Sequence, residues 1–178
     1  MHAHHPLIRR LATGIAVLIA VAALSSCTVV RARIASTSRP TTNLPSQNPA
    51  AEKTLLASIN ALRAAHHVHA LSLQTNLVNK ARYWALWMSI GNCGRARNGT
   101  PNICHSVLSG GISVHWTMLE ENVGAASPRT NVSAIANAFA HSAPHLANIV
   151  NSRIRYVGVG VAYAGNTVYA AEEFMATS

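Results

Sequence analysis

The strongest constraint on the fold is a change of pattern near the C-terminus, where apolar and small residues alternate. Residues 157–163 read VGVGVAY, Gly165 and Asn166 follow as a turn signal, and residues 167–176 form a second apolar segment. A period of two predicts β-strands, and the turn between them predicts a hairpin. Because small residues fill one face of the first strand, we expect a helix to pack closely on that face while the Val and Tyr side chains fill the other.

Helical periodicity precedes the hairpin and indicates the fold class. Apolar residues recur at helical spacing over 51–66, and a second stripe predicts a helix over 75–90 that Gly91 ends. A third helix is predicted over 130–141, and a short fourth one begins near Pro144. Helices followed by a terminal hairpin indicate an α+β fold, in which helices cover both faces of a small antiparallel sheet.

The N-terminus has the parts of an export signal. Arg9 and Arg10 precede an apolar run over residues 11–24, and small residues lead from this run to Cys27. The run is too short to span a bilayer unaided, so we expect residues 1–26 to be cleaved as a signal peptide. The ending LSSC resembles a bacterial lipobox, in which the cysteine becomes the first mature residue and carries lipid. The alternative is an ordinary secreted protein with an incidental cysteine.

A flexible tether is predicted between the lipidated Cys27 and the folded domain, which we expect over residues 51–178. Residues 28–50 are rich in Ser, Thr, Pro and Asn, a composition that cannot bury an apolar face. A segment of this length has a root-mean-square reach on the order of 25 to 30 Å. We therefore expect the domain to be lipid-anchored at the outer face of a bacterial cell membrane or elsewhere in the envelope, with the membrane as its first partner.

Acidic residues are scarce, and this scarcity excludes several kinds of site. The chain has 14 Lys and Arg residues, five Glu residues and no Asp, which gives a formal net charge of +9. Aspartic dyads, EF-hand loops and Ser-His-Asp triads are therefore excluded or must be rebuilt on a glutamate. The arginines are scattered and form no zinc finger, RNP motif or basic helix, so no nucleic-acid partner is indicated.

Cys93 and Cys104 are the cysteines that remain beyond the signal segment. In an exported chain, a pair that closes a short polar loop indicates a disulfide more than a metal site or a nucleophile. The alternative is that Cys104 acts as a thiolate beside His105, but adjacent residues rarely place their side chains for proton transfer.

Several short motifs follow one another between residues 52 and 175. They are N-x-x-R at Asn60 and Arg63, ICHS with His105 and Ser106, GIS-x-x-W at 111–116, ENVG at 121–124, and F-x-x-S-x-x-H-x-x-N-I from Phe139 to Ile149. In this order they resemble the CAP domain, also called the SCP domain, of cysteine-rich secretory proteins, venom allergens and plant pathogenesis-related proteins. The resemblance implies an α-β-α sandwich.

The resemblance also implies a cleft that contains His105, Glu121 and His145. Two imidazoles and a carboxylate are credible zinc ligands, and three protein ligands leave an open position for water. Many members of the family carry a second glutamate in the cleft, whereas no acid lies between Glu121 and Glu172 in this chain. The alternative is a hydrogen-bonded polar cluster that braces the cleft without a metal.

Two functions are compatible with such a cleft. The resemblance favours a non-catalytic envelope binding module whose ligand is a lipid, a sterol, a cell-wall polymer or a partner protein. The alternative is a metal-assisted, peptidase-like hydrolase in which Glu121 is the general base. A serine hydrolase built on Ser106 ranks last, because the chain has neither a G-x-S-x-G motif nor an aspartate.

Overall fold

Residues 44–178 are described by the computed structural model. The predicted signal peptide, Cys27 and most of the predicted tether lie outside the described residues. Within residues 44–178, no helix is both long and apolar enough to cross a bilayer.

The described chain contains four helices and four strands. The helices are α1 Pro49–Ala65, α2 Thr75–Ser89, α3 Val132–Ala140 and α4 Ala143–Val150. The strands are β1 Ser72–Leu73, β2 Met118–Ala126, β3 Tyr156–Ala164 and β4 Thr167–Ala176. The predicted helices and the terminal hairpin are confirmed, whereas the sequence pattern does not predict β1 or β2.

The strands form one sheet in the order β1-β3-β4-β2. The β3–β4 hairpin lies at its centre, and β2 pairs antiparallel with β4 along its whole length. The short strand β1 pairs parallel with β3 at one edge. The α+β class and the small sheet between helices are therefore confirmed, with a two-residue parallel strand added at the edge.

Gly158 and Gly160 allow α2 to lie directly against one face of the sheet. A Cβ atom on Gly158 would lie 2.0 Å from the carbonyl carbon of Leu77, and one on Gly160 would lie 2.2 Å from that of Ala81. A side chain does not fit into this space, so the close approach requires glycine. The helix predicted to pack on the small-residue face is thus α2.

The remaining helices cover the opposite face, where the larger core lies. Valine side chains of β3 and Phe174 of β4 pack there against apolar residues of α1, α3 and α4. Fully buried members of this core include Leu55, Ile59, Ile135, Phe139, Ile149 and Phe174. Two helical layers thus enclose the sheet and fix the position of β2, which carries the candidate site.

Contacts of the domain begin before the predicted boundary at residue 51. The side chain of Asn48 caps α1, which therefore starts at Pro49. The N–H of Leu44 donates to Asn79 Oδ1 at 3.0 Å, and the Leu44 carbonyl accepts from Arg82 at 2.6 Å. The segment just ahead of α1 is consequently held against α2.

Asn60 and Arg63, the N-x-x-R motif, have structural roles on α1. The guanidinium of Arg63 is fully buried and donates to the carbonyls of Ile149 and Ile154 at 2.6 and 3.3 Å. The side chain of Asn60 exchanges two hydrogen bonds with the backbone of Leu71. The motif therefore ties α1 to the segments that enter β1 and β3, and its residues do not reach the cleft.

Cys93 and Cys104 form the predicted disulfide, with their Cα atoms 5.7 Å apart. The alternative role of Cys104 as a thiolate is wrong, because its sulfur is bonded to Cys93. The indole N–H of Trp84 on α2 donates to the Cys104 carbonyl at 2.7 Å. Both contacts hold the chain in place immediately before His105.

Candidate functional site

A shallow cleft of about 330 Å³ lies beside β2. One side is formed by the segment that follows the disulfide, and the other by α4. Two of the predicted site residues, His105 and Glu121, line it, together with apolar side chains. The complete lining is His105, Ser106, Leu108, Leu119, Glu120, Glu121 and Asn148.

Glu121 is buried in the wall of the cleft, with 1% of its side chain exposed. Its Oε1 accepts from His105 Nδ1 at 2.8 Å and from the backbone N–H of Ser106 at 2.9 Å. The ring of His105 is 64% exposed. Because Nδ1 carries the proton donated to Glu121, Nε2 is the nitrogen that remains free to bind a ligand.

A buried charged cluster lies behind Glu121. Glu121 stands directly opposite Glu173 of β4 in the register of the sheet. The Nζ of Lys80 on α2 lies 2.5 Å from Glu173 Oε2 and 2.7 Å from Ser106 Oγ. The same ammonium lies 3.8 Å from Glu121 Oε2. Lys80 therefore links α2, β4 and the cleft wall beneath the surface.

The two carboxyl groups of this cluster differ in protonation. Burial raises the pKa of Glu173 well above its ordinary value; the charge of Lys80 opposes this rise and that of Glu121 adds to it. Burial also acts to raise the pKa of Glu121, but hydrogen bonds from Glu173 and Ser106 and the charge of Lys80 outweigh it and lower that pKa. An ionised Glu121, a protonated Glu173 and an ammonium on Lys80 leave the buried cluster without net charge.

One shared proton also accounts for two otherwise unpaired atoms. Glu121 Oε2 and Glu173 Oε1 are buried and have no other hydrogen-bond partner within the described residues. A proton on Glu173 that is donated to Glu121 satisfies both oxygens. The cluster is therefore arranged to hold Glu121 in place as a carboxylate.

His145 lies next to the cleft lining, on the first turn of α4. Its Nδ1 is 2.7 Å from Ser142 Oγ, and its ring stacks on Phe139 with the centroids 4.8 Å apart. Burial and, to a smaller extent, the charge of His105 lower the pKa of His145. Desolvation and a neighbouring imidazole thus favour the neutral form of the His145 ring.

A second polar network crosses the opposite face of the sheet. The amide of Asn122 donates to Glu172 Oε2 at 3.1 Å and to the carbonyl of His145 at 3.2 Å. The amide of Asn148 donates to Asn122 Oδ1 at 2.9 Å and to the carbonyl of Glu121 at 3.2 Å. The network ties α4, and with it His145, to β2 and β4.

The predicted zinc ligands do not form a preassembled three-ligand set. Within residues 44–178, no group of three or more His, Cys, Asp or Glu side chains is placed to hold a metal ion. Glu121 uses one oxygen for His105 and Ser106, and its other oxygen faces Lys80. The imidazoles of His105 and His145 each engage Nδ1 and leave Nε2 for a metal. The side-chain nitrogens that remain available are therefore the Nε2 atoms of these two imidazoles.

Sequence reasoning misses Lys80, Glu172 and Glu173. Glu173 follows Glu121 by 52 positions in the chain and lies opposite it in the sheet, buried behind the cleft lining. A signal is present in the sequence. Two adjacent acids within an otherwise apolar strand must direct at least one side chain into the protein, and Lys80 lies on the apolar stripe of α2 between Leu77 and Trp84.

The sequence pattern of the Cysteine-rich secretory protein family, CAP, matches residues 56–177. No individual curated protein matches the chain. Among solved structures, an outer surface protein of Borrelia burgdorferi superposes with a TM-score of 0.58 at 16% identity, over 72% of this chain and 93% of its own.

Two further solved structures share the fold. A cysteine-rich secretory protein of Staphylococcus aureus has a TM-score of 0.56 at 19% identity, over 79% of this chain and 42% of its own. NaASP2, solved with Zn²⁺, has a TM-score of 0.54 at 13% identity, over 77% of this chain and 83% of its own. The present chain thus spans less than half of the staphylococcal protein, and at these identities the similarity shows the fold.

Proposed function

The chain belongs to the cysteine-rich secretory protein (CAP) family, and from that premise we propose that it is a non-catalytic binding module of the bacterial envelope whose cleft takes a lipid. A cell-wall polymer and a partner protein are the other ligand classes. Leu108 and Leu119 support the choice of a lipid, because they give the cleft an apolar side next to the polar side of His105.

The arrangement of Glu121 is the observation that carries a binding role over a catalytic one. A general base must reach a water molecule or a substrate proton in the cleft. Glu121 instead accepts hydrogen bonds from His105 and from the Ser106 backbone, while its second oxygen is buried towards Lys80. Its lowered pKa also makes it a weaker proton acceptor. These features support a bracing role.

Zinc is proposed as an accessory ligand of the same cleft. His105 and His145 would hold it through Nε2, and it would supply a positive charge for an anionic headgroup. Glu121 would then orient His105 from behind, as carboxylates behind metal-bound histidines commonly do. That NaASP2 has been solved with Zn²⁺ on the same fold is in keeping with this proposal.

Export and the lipid on Cys27 remain proposals from the sequence. The family name describes secreted proteins, and the Borrelia neighbour is an outer surface protein, which supports export. The anchor rests on the LSSC motif alone. Incorporation of labelled palmitate that is lost in Cys27→Ala tests it.

A fluorescent fatty acid tests the proposed ligand class. We expect Leu108→Asn to weaken its binding about tenfold, because Leu108 lines the cleft. Val107→Asn is the matched control, since Val107 is the neighbouring exposed residue and does not line the cleft. Equal affinity in both variants and in the wild type would contradict lipid binding at this cleft.

Calorimetry tests the metal. Zinc binding should be lost in His105→Ala and in His145→Ala. Glu121→Gln should weaken it by about 10- to 100-fold, because the carboxylate that orients the His105 ring is removed. Zinc binding that is unchanged in all three variants would place the ion elsewhere.

A metal-assisted hydrolase is the second candidate, because Glu121, His105 and Ser106 meet at one side of the cleft. If Glu121 is the general base, Glu121→Gln should abolish the hydrolysis of a peptide substrate while fatty acid binding persists. The binding proposal expects no turnover to lose.

A further inference from the structure

The exterior of the described domain has no exposed acid. All five glutamates of the sequence lie within residues 44–178, and each is buried or half-buried. The exposed ionic side chains of these residues are therefore cationic and attract anionic partners. They are Lys53, Arg95, Arg97, Arg129, Arg153 and Arg155.

Exposed apolar side chains are concentrated in one segment, residues 103–116, which we name the docking loop. Five of the eight large hydrophobic residues exposed in the described chain lie there, within 14 positions. Val107 is the most exposed of them, at 74%. Large apolar side chains exposed along one segment indicate a contact with another apolar surface. The five residues are Ile103, Val107, Leu108, Val114 and Trp116.

The docking loop is held in a defined shape. At its start, the disulfide fixes Cys104, and at its tip the N–H of Gly110 donates to the carbonyl of Val107 at 2.8 Å. Further along, the backbone N–H and hydroxyl of Ser113 both donate to Asn76 Oδ1, at 3.0 and 2.9 Å. A loop constrained at three points presents its apolar side chains with little ordering cost on binding.

We propose that the docking loop inserts into the surface of an anionic lipid bilayer. The negative headgroup layer of such a bilayer would attract the exposed cations of the domain. The apolar interior beneath it would take up the exposed apolar side chains of the docking loop. Arg95 and Arg97 are exposed and precede the docking loop within residues 90–117, which contain no acid. Trp116 is of the residue type that favours the boundary between headgroups and acyl chains.

The proposed insertion also orients the cleft. Leu108 belongs both to the docking loop and to the cleft lining, and His105 precedes it by three positions. Insertion of the loop would therefore place the mouth of the cleft at the bilayer surface. A lipid could then enter the cleft without crossing water, and this last step rests on the proposed lipid-binding function.

Fluorescence quenching in vesicles tests the insertion. The full chain is reconstituted into phosphatidylglycerol–phosphatidylcholine vesicles whose acyl chains carry bromine, a short-range quencher of tryptophan. We expect quenching in the wild type, and Trp116→Phe should remove most of the quenchable emission. Vesicles of phosphatidylcholine alone should give less quenching, because the headgroup attraction is absent.

Val107→Asp separates insertion by the loop from anchoring elsewhere in the chain. It should reduce quenching about tenfold, because it replaces an inserted apolar side chain by a charge. Leu73→Asp is the matched control, since Leu73 is exposed on β1, outside the loop, and should quench as the wild type does. Circular dichroism of Val107→Asp confirms that the variant is folded, because its side chain is not part of the core.

Each outcome decides the proposal. Absence of wild-type quenching in anionic vesicles would overturn it and would leave an acidic protein as the partner of the loop. Quenching that persists in Val107→Asp would also overturn it. Fatty acid binding that is unchanged in Leu108→Asn, together with quenching in the wild type, would contradict lipid binding at the cleft and leave insertion standing, so the two proposals fail separately.

Discussion

Glu172 provides a stability prediction that depends on a single proton. The side chain is fully buried within β4, and its Oε2 accepts a hydrogen bond from the amide of Asn122 at 3.1 Å. Burial raises the pKa of Glu172 from 4.5 to about 8, and the Asn122 hydrogen bond offsets only part of that rise. At neutral pH the folded protein therefore keeps this carboxyl protonated, whereas the unfolded chain does not.

The sign and size of the effect follow from linkage. Between the unfolded pKa of 4.5 and the folded pKa of about 8, the unfolded state loses a proton that the folded state retains, so stability falls as pH rises. Above the folded pKa the cost becomes constant. Across this interval it amounts to roughly 4 to 5 kcal/mol, at about 1.36 kcal/mol per pKa unit. This is a large fraction of the stability of a typical domain.

Glu172→Gln removes the titrating proton and keeps a carbonyl oxygen for Asn122. We expect the variant to match the wild type near pH 4.5 and to exceed its stability by several kcal/mol at pH 8 and above. Urea unfolding followed by tryptophan fluorescence, repeated from about pH 5 to about pH 9, measures the difference. Because Glu173 titrates in both proteins, the difference between them isolates Glu172.

A difference in stability that stays constant over this pH range would refute the reasoning, because it would mean that Glu172 has the same pKa in both states. A variant that is less stable than the wild type at pH 8 would refute it as well. In that case the carboxylate would be stabilised in the folded protein by a contact stronger than the Asn122 hydrogen bond.

Two further predictions concern the packing of the helices that position the site. Gly158→Ala should destabilise the protein by about 3 kcal/mol or more in thermal unfolding, because its Cβ would lie 2.0 Å from the Leu77 backbone. Gly99→Ala, in open space at a φ of +80°, should cost only about 1 kcal/mol, and equal losses would contradict close packing of α2. Arg63→Met should cost about 3 kcal/mol or more in urea unfolding, because it leaves buried carbonyls without donors. Arg63→Lys should recover part of this loss, and wild-type stability in Arg63→Met would contradict a bracing role.

The helices, the hairpin and their packing can be predicted because they depend on the periodic spacing of apolar and small residues. Such a period is recognisable even where single residues depart from it. Alternation over residues 157–163 predicts both strand and hairpin, and its glycines predict the face that α2 covers. Details that depend on single hydrogen bonds are not predictable in this way. The cap of α2 is an example, because the side chain of Gln74 caps this helix although glutamine is not among the residue types that usually do so.

Strand β2 shows why part of the sheet is not predicted. Its sequence, MLEENVGAA, carries two adjacent acids and a glycine, which lower any estimate of strand propensity. Pairing with β4 along its whole length outweighs this local preference. Glu121 can lie in a strand interior because Lys80 and Glu173 meet it there, and both arrive from distant parts of the sequence.

The candidate site is predictable only as far as the family resemblance reaches. His105, Glu121 and His145 come from separated motifs, and the structure brings His105 and Glu121 into direct contact. The electrostatic role of Glu121 depends on Lys80, which sequence reasoning does not single out. Of the three ligands that the motifs predict, the two imidazoles are available in the structure. The carboxylate of Glu121 already has His105, Ser106 and Lys80 as partners.

The scarcity of acids links the interior of the protein to its surface. Because the five glutamates are buried or half-buried, the exposed ionic side chains that a membrane would meet are arginines and lysines. Removing a buried titrating group, as in Glu172→Gln, should therefore alter the pH dependence of stability and leave vesicle docking unchanged. Val107→Asp should do the reverse, because it adds an exposed acid to the exterior and leaves the core intact. If either variant changed both the pH dependence of stability and vesicle docking, the buried acids and the cationic exterior would not act independently.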